Sequence, residues 1–263
     1  MSDTPAGYLE KLFGLGGRTA VVVGGTGVLG GAIAEGLARA GAFVVVGGRG
    51  ADRGEARVES IRAAGGDGVF ASVDVTRRSS VEALLAAALH ATGRADILVN
   101  CAGVNSAVPY LEISDEDFEQ VIATNLISTH LGCQIFGGHM AAHGGGSILN
   151  IGSVSADKPL SKVFAYSASK AAVVNYTKNV ARELAPAGVR VNVLCPGFFP
   201  AEQNRKVLSP ERVATIMSQT PMNRFGEPDE LVGAAILLAA PVAGSFITGA
   251  EVYVDGGFTG MRL

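Results

Sequence analysis

The chain of 263 residues has no tryptophan, only 6% aromatic residues and only 17% charged residues. A sequence so poor in charge buries much of its length, which excludes disorder over most of it. It also lacks charge of one sign. Lysine and arginine (21) nearly balance aspartate and glutamate (24), for a net −3. Nucleic acid and anionic membrane surfaces need clustered positive charge, so neither is an expected partner. Long hydrophobic runs are missing too. The longest, Leu231–Ala240, falls well short of the roughly 18 apolar residues of a membrane span and reads as a buried helix. The three cysteines, Cys101, Cys133 and Cys195, are odd in number and far apart. They argue against a disulfide framework and fit a reducing cytoplasm. The opening stretch, MSDTPAGYLEKLFGLGG, has neither a basic region nor an apolar core and is not expected to be a secretory signal.

Glycine is abundant (36), and short apolar runs rich in valine and isoleucine alternate with helix-like stretches. Strands are predicted at Thr19–Val23, Phe43–Gly47, Val69–Val73, Ile97–Asn100, Ser147–Ile151, Arg190–Leu194 and Glu251–Val254. Several are apolar throughout, as strands covered by helices on both faces must be. Between them lie helical stretches such as Gly31–Ala40, Ser79–Thr92, Asp115–Met140 and Phe164–Ala185. The acidic run Asp115–Asp117 suits the positive end of a helix. This alternation predicts one doubly wound (Rossmann) α/β domain over residues 1–263, with seven parallel strands and helices on both faces. A substrate loop is expected at about 197–226, within the long strandless stretch before Glu251.

The first strand runs into Gly24, Gly25, Thr26, Gly27, Val28, Leu29 and Gly30, followed by a helix. Gly25, Gly27 and Gly30 fit the spacing that lets a backbone turn closely around a pyrophosphate, with the helix N-terminus supplying free N–H groups. The second strand ends at Gly48 and Arg49 with no carboxylate to hold a ribose 2′-hydroxyl. Arginine suits a 2′-phosphate, so NADP(H) is preferred and NAD(H) is the alternative. Asp74 and Val75 close the third strand, where a side chain can meet the adenine; Asp74 serves equally as a helix cap.

Tyr166 and Lys170 are four residues apart on a predicted helix and share one face. A nearby ammonium is expected to lower a phenol pKa from about 10 and make it a proton carrier for carbonyl–alcohol chemistry. Ser153 lies just beyond a strand end, where a hydroxyl can bond a substrate carbonyl. Tyr176 has Val180, not lysine, four residues on.

Together with Asn100–Cys101–Ala102–Gly103, Asn125, Pro196–Gly197 and Asp255–Gly256–Gly257, these motifs resemble the short-chain dehydrogenases/reductases in order and spacing, over about residues 12–260. The resemblance implies that Tyr166 exchanges the proton, that Lys170 lowers its pKa and holds the nicotinamide ribose, and that Ser153 orients the carbonyl. It implies that Asn125 keeps a helix kink and a proton-relay water, that Asn100, Ala102 and Gly103 support the sheet beside the adenosine, and that Pro196 and Gly197 border the nicotinamide. Departures are Val23 for the usual threonine, Val28 for a later glycine, Cys101 for a second asparagine, and no threonine after Gly197.

In this family the segment Phe198 to Arg205 closes over the substrate. Phe198 and Phe199 would exclude water from the nicotinamide. Gln203 and Arg205 offer donors, and Arg205 suits a carboxylate. Asn105, Ser106 and Val154–Ser161 are expected on the opposite wall. The segment is similar to a branch acting on sugar acids, such as uronate and keto-gluconate reductases. The expected activity is an NADP(H)-dependent oxidoreductase interconverting a secondary alcohol and a ketone, on a sugar acid or polyol. A 3-oxoacyl carrier-protein reductase is the runner-up, with a basic docking patch of Arg205, Lys206, Arg212 and Arg224. A non-catalytic dinucleotide sensor would not need the Tyr166 and Lys170 pair, and a methyltransferase would end the second strand in an acid. Family resemblance also implies a homotetramer, through Phe164–Ala185 with its small Ala168, Ala171 and Ala172, and through Gly256–Leu263. His90, His130, His139 and His143 show no metal-ligand pattern, so no metal is expected.

Overall fold

A computed structural model describes residues 4–199 and 209–260. Seven strands form one all-parallel sheet: β1 (Thr19–Val23), β2 (Phe43–Gly48), β3 (Asp67–Ser72), β4 (Ile97–Asn100), β5 (Gly146–Ile151), β6 (Val189–Pro196) and β7 (Glu251–Val254). Their spatial order is 3-2-1-4-5-6-7, so the chain reverses direction between β1 and β4. In a sheet of this kind the crevice for ligands opens outside the strand carboxyl ends at that switch point.

The helices are α1 (Pro5–Phe13), α2 (Val28–Arg39), α3 (Ala51–Ala63), α4 (Arg78–Thr92), α5 (Asp115–Ile122), α6 (Ser128–Ala142), α7 (Phe164–Leu184), α8 (Pro210–Ser218) and α9 (Val232–Ala239). Two apolar layers sandwich the sheet. One joins α2 and α9 to β1, β2 and β4 through Ile33, Leu37, Val44, Val46, Leu231 and Leu238. The other joins α4 and α6 to the opposite face through Val45, Leu84, Leu98, Phe136, Met140 and Ile148. Every residue of β1 is buried, as its unbroken apolar run predicts. The expected strands all form, although β3 begins and β6 ends two residues off their predicted bounds.

Two helical expectations change. The stretch from Asp115 is not one regular helix: a π turn at Ala123–Ile127 separates α5 from α6. Helix α2 starts at Val28 rather than Gly31, because Gly27 stands at its N-cap in an extended conformation. Helix α3 is polar, with only Gly54, Val58 and Ile61 buried, so its apolar stripe is thin. Gly54 is required there, since an added Cβ would overlap the Phe70 ring. The predicted buried helix over Leu231–Ala240 is α9, preceded by a 3₁₀ turn at Pro228–Leu231.

Candidate active site

A cavity of about 590 Å³ opens at the carboxyl ends of the central strands. Its floor is the glycine-rich turn, with Gly24, Gly27, Val28, Leu29 and Gly30 on the lining. Gly24 takes φ +83° and an added Cβ there would lie 2.7 Å from the Ala102 nitrogen. At Gly30 a Cβ would lie 2.4 Å from the Gly24 carbonyl oxygen. The turn is therefore as tight as its sequence predicts. The first turn of α2 receives no side-chain hydrogen bond. Its first residues, Val28, Leu29 and Gly30, border the crevice, and the free N–H groups of a helix start are what hold a pyrophosphate. A dinucleotide thus fits the residues present.

At the end of β2, an added Cβ on Gly48 would lie 2.5 Å from the Thr26 methyl group. An acidic side chain at that point would have to displace Thr26. Arg49 follows, exposed. Asp74 accepts from the Thr76 hydroxyl at 2.7 Å and from its N–H at 3.0 Å. These bonds hold the Asp74 carboxyl below its ordinary range. Asp74 therefore closes a local turn, and Val75 packs on the second apolar layer.

Tyr166, Lys170 and Ser153 line the same cavity as the glycine turn. Lys170 is buried; its Nζ donates to the Ile151 carbonyl at 2.7 Å and lies 5.6 Å from the centroid of the Tyr166 ring. Burial drives the ammonium down to about 8. The phenol moves opposite to expectation. Burial raises it above its ordinary value, while the Ser153 side chain pulls the other way. Desolvation of the phenol is the largest influence and sets the direction. The Ser153 hydroxyl is itself anchored, accepting from the Ser155 N–H at 3.1 Å and lying 3.0 Å from the Ser155 hydroxyl. Ser155 was not singled out from the sequence.

Asn125 sits fully buried in the π turn. It accepts from the Val104 N–H at 2.8 Å and donates to the Val104 carbonyl and the Ser169 hydroxyl, each at 3.0 Å. It thus ties the segment after β4 to α7, the helix that carries Tyr166 and Lys170. Asn100 donates to Asn150 at 2.9 Å, and Asn150 to the Thr177 hydroxyl at 2.9 Å, a buried polar chain from β4 through β5 to α7. Cys101, on the lining, is pushed up to about 11 by burial and stays a neutral thiol.

Pro196 ends β6. Gly197 approaches so closely that an added Cβ would lie 2.7 Å from the Asp255 Cα. Phe198 packs edge-on against Phe258, with ring centroids 5.2 Å apart, and the Phe199 ring covers Gly226. Both phenylalanines and Asn105 line the cavity. Gln203 and Arg205 lie outside the described residues. Val104 and Val163 also line it, beyond the residues expected from sequence, and so do Arg212, Ile216 and Phe225, which fall within the stretch 197–226 expected as the substrate loop. Ile216 follows Arg212 by four positions on α8, a periodicity that marks one face. Arg224 is held by both carboxylate oxygens of Glu230, at 2.6 and 2.7 Å. Among the described residues no cluster of three metal-ligating side chains occurs, and no helix is long and apolar enough to cross a membrane.

A parallel sheet with a glycine-rich first turn and a Tyr–Lys–Ser cavity at its carboxyl edge defines a dinucleotide-dependent oxidoreductase fold. A family model described as Enoyl-(Acyl carrier protein) reductase matches residues 26–259. The chain is 37% identical to the Uncharacterized oxidoreductase UxuB of Bacillus subtilis, covering 93% of this chain and 95% of that one. It is 36% identical to the Gluconate 5-dehydrogenase of Gluconobacter oxydans, covering 94% and 97%. The crystal structure of a gluconate 5-dehydrogenase from Burkholderia cenocepacia, in complex with NADP and tartrate, superposes with a TM-score of 0.91 at 33% identity, covering 97% of this chain and all of that one. The chain belongs to the short-chain dehydrogenase/reductase family, whose members are oxidoreductases acting on CH–OH groups.

Proposed function

We propose that this protein is an NADP(H)-dependent dehydrogenase/reductase that interconverts a secondary alcohol and a ketone on a sugar acid or polyol. The observation that carries this reading is the shared cavity: Tyr166, Ser153 and Lys170 face the same space as the glycine turn. A bound nicotinamide would supply hydride transfer to or from the substrate carbon. Tyr166 gives its phenolic proton to the carbonyl oxygen in reduction and takes it back in oxidation. Ser153, held by Ser155, donates to that oxygen as charge develops on it. Lys170 supports the ribose and, by its charge, the phenolate. Asn125 keeps α7 in register with the segment after β4. Phe198 and Phe199 exclude water. Gly48 and Arg49 favour the 2′-phosphate of NADP(H), in line with the NADP found in the Burkholderia structure.

The acyl-carrier-protein reading stays the runner-up: of its expected basic patch, Arg212 lines the cavity, Arg224 is paired with Glu230, and Arg205 and Lys206 lie outside the described residues. We read the protein as cytoplasmic, on its three unpaired cysteines, and as a homotetramer. Exposed Tyr110, Leu111, Phe118 and Phe164 beside α5 and α7, and the wholly exposed Phe246, support self-association. Light scattering of a monomer would reject the tetramer. A panel of sugar acids, polyols and 3-oxoacyl thioesters with both cofactors tests the activity. The expected result is NADP(H)-linked turnover of the hydroxylated compounds; turnover of the thioesters alone would reject the reading.

A further inference from the structure

Arg212 stands in the first turn of α8 and bridges two walls of the active cavity. Its Nη1 donates to the Ser161 hydroxyl at 3.1 Å, and Ser161 lies on the segment between β5 and α7 that brings Leu160 and Val163 to the lining. Among the described lining residues only Lys170 and Arg212 are charged, and no carboxylate is present. Lys170 is occupied by the Ile151 carbonyl. Arg212 has five N–H donors and an invariant charge, yet among the described residues its guanidinium meets one neutral hydroxyl and no carboxylate. Arg18, Arg57, Arg94 and Arg224, by contrast, all have carboxylate partners. A cation in the first turn also opposes the helix dipole, so position alone does not favour it there. Glu211, in the same turn, does not line the cavity.

We propose that Arg212 recognises the carboxylate of the substrate and so selects sugar acids over neutral polyols. This rests on the dehydrogenase reading above and names the residue that sets its substrate class. The Ser161 bond holds the guanidinium at the rim, and an incoming carboxylate replaces one neutral acceptor with a paired, charge-assisted contact.

The test uses the full-length enzyme with NADP⁺. D-gluconate and D-glucitol are titrated by calorimetry and compared by kcat/KM, for the natural enzyme, Arg212→Met and Arg212→Lys. Arg212→Met is expected to lower the gluconate-to-glucitol preference about 30-fold, the worth of a charge-assisted bond, with Arg212→Lys in between. A preference within about threefold of the natural enzyme in Arg212→Met overturns the proposal, as does a natural enzyme with no preference for gluconate. Should Arg212→Met not fold, Arg212→Gln takes its place. If neither compound is turned over, the panel of sugar acids and polyols above judges the dehydrogenase reading, and the gluconate titration still decides whether Arg212 holds a carboxylate: loss of gluconate binding in Arg212→Met supports the proposal and unchanged binding overturns it.

Discussion

The two edges of the sheet treat charge in opposite ways. At the amino edge Asp96, just before β4, receives Arg18 at 3.1 Å, Arg94 and the Thr19 N–H at 2.8 Å. Burial alone would raise this carboxyl, but Arg94, the Thr19 backbone and Arg18 together hold it below its ordinary value. Charge there is neutralised by the chain itself and pins β1 to β4. At the carboxyl edge Lys170 and Arg212 face a carbonyl and a hydroxyl. Neutral acceptors fix the direction of a cation without cancelling it, so its field stays available to a ligand. Arg190 fits the same logic from the structural side. It too meets only carbonyls, those of Leu238, Ala239, Ala240 and Ile247, but three of these end α9, and the negative pole of that helix is its partner.

The comparison breaks first at Tyr166. If the carboxyl edge exists for chemistry, Tyr166→Phe lowers kcat by about 10³-fold, the usual worth of a positioned proton donor. NADPH binding, followed by its fluorescence, is expected to persist, since the glycine turn is untouched. Turnover near normal would remove the phenol from the mechanism. Arg49→Ala comes next. The kcat/KM ratio of NADPH to NADH is expected to fall by about 10-fold or more if the guanidinium pairs with a 2′-phosphate. An unchanged ratio would leave Arg49 as a solvated loop cation.

The sheet was legible because strands buried on both faces leave an unbroken apolar record, as at Thr19–Val23 and Ile97–Asn100. The glycine turn and the Tyr166/Lys170 pair were legible because their spacing is local. The π turn at Ala123–Ile127 left no such local record, and only the family resemblance, through Asn125, implied a kink there. It is set by the bonds of Asn125 to Val104 and Ser169, 21 and 44 residues away, which no helical period records. The sign of the Tyr166 shift was hidden for a similar reason. Spacing places the ammonium on the same helix face, but burial of the phenol, a tertiary property, sets the direction. From sequence Arg212 is one of four cations in an expected basic docking patch; the pairing of Arg224 with Glu230, and the Ser161 hydroxyl as the partner of Arg212, are tertiary.

At the amino edge, Asp96→Asn is expected to cost about 1–3 kcal/mol of stability, through the loss of a buried acceptor shared by two arginines, with kcat near normal. Because the folded carboxyl lies below its unfolded value, its contribution is present above the ordinary carboxylate range and fades as pH falls through the lowered value. The gap in Tm between the two proteins should therefore narrow in acid. A gap that widens in acid would contradict the assignment.

The smallest effect has the opposite sign. Lys170 is a buried cation driven down to about 8, so below that pH the folded chain carries the cost of keeping it charged. Between pH 8 and the unfolded lysine value near 10.5 only the unfolded chain holds the proton, and stability rises with pH. Lys170→Met removes that cost and loses the bond to the Ile151 carbonyl, which offsets part of the gain. The variant is expected to be inactive yet more stable at pH 7 by about 1 kcal/mol, with the advantage shrinking as pH passes 8. Denaturant midpoints across pH 6–10 measure it. A variant less stable at every pH would mean that Lys170 belongs with Asp96, as a group the fold needs rather than one it tolerates for the reaction.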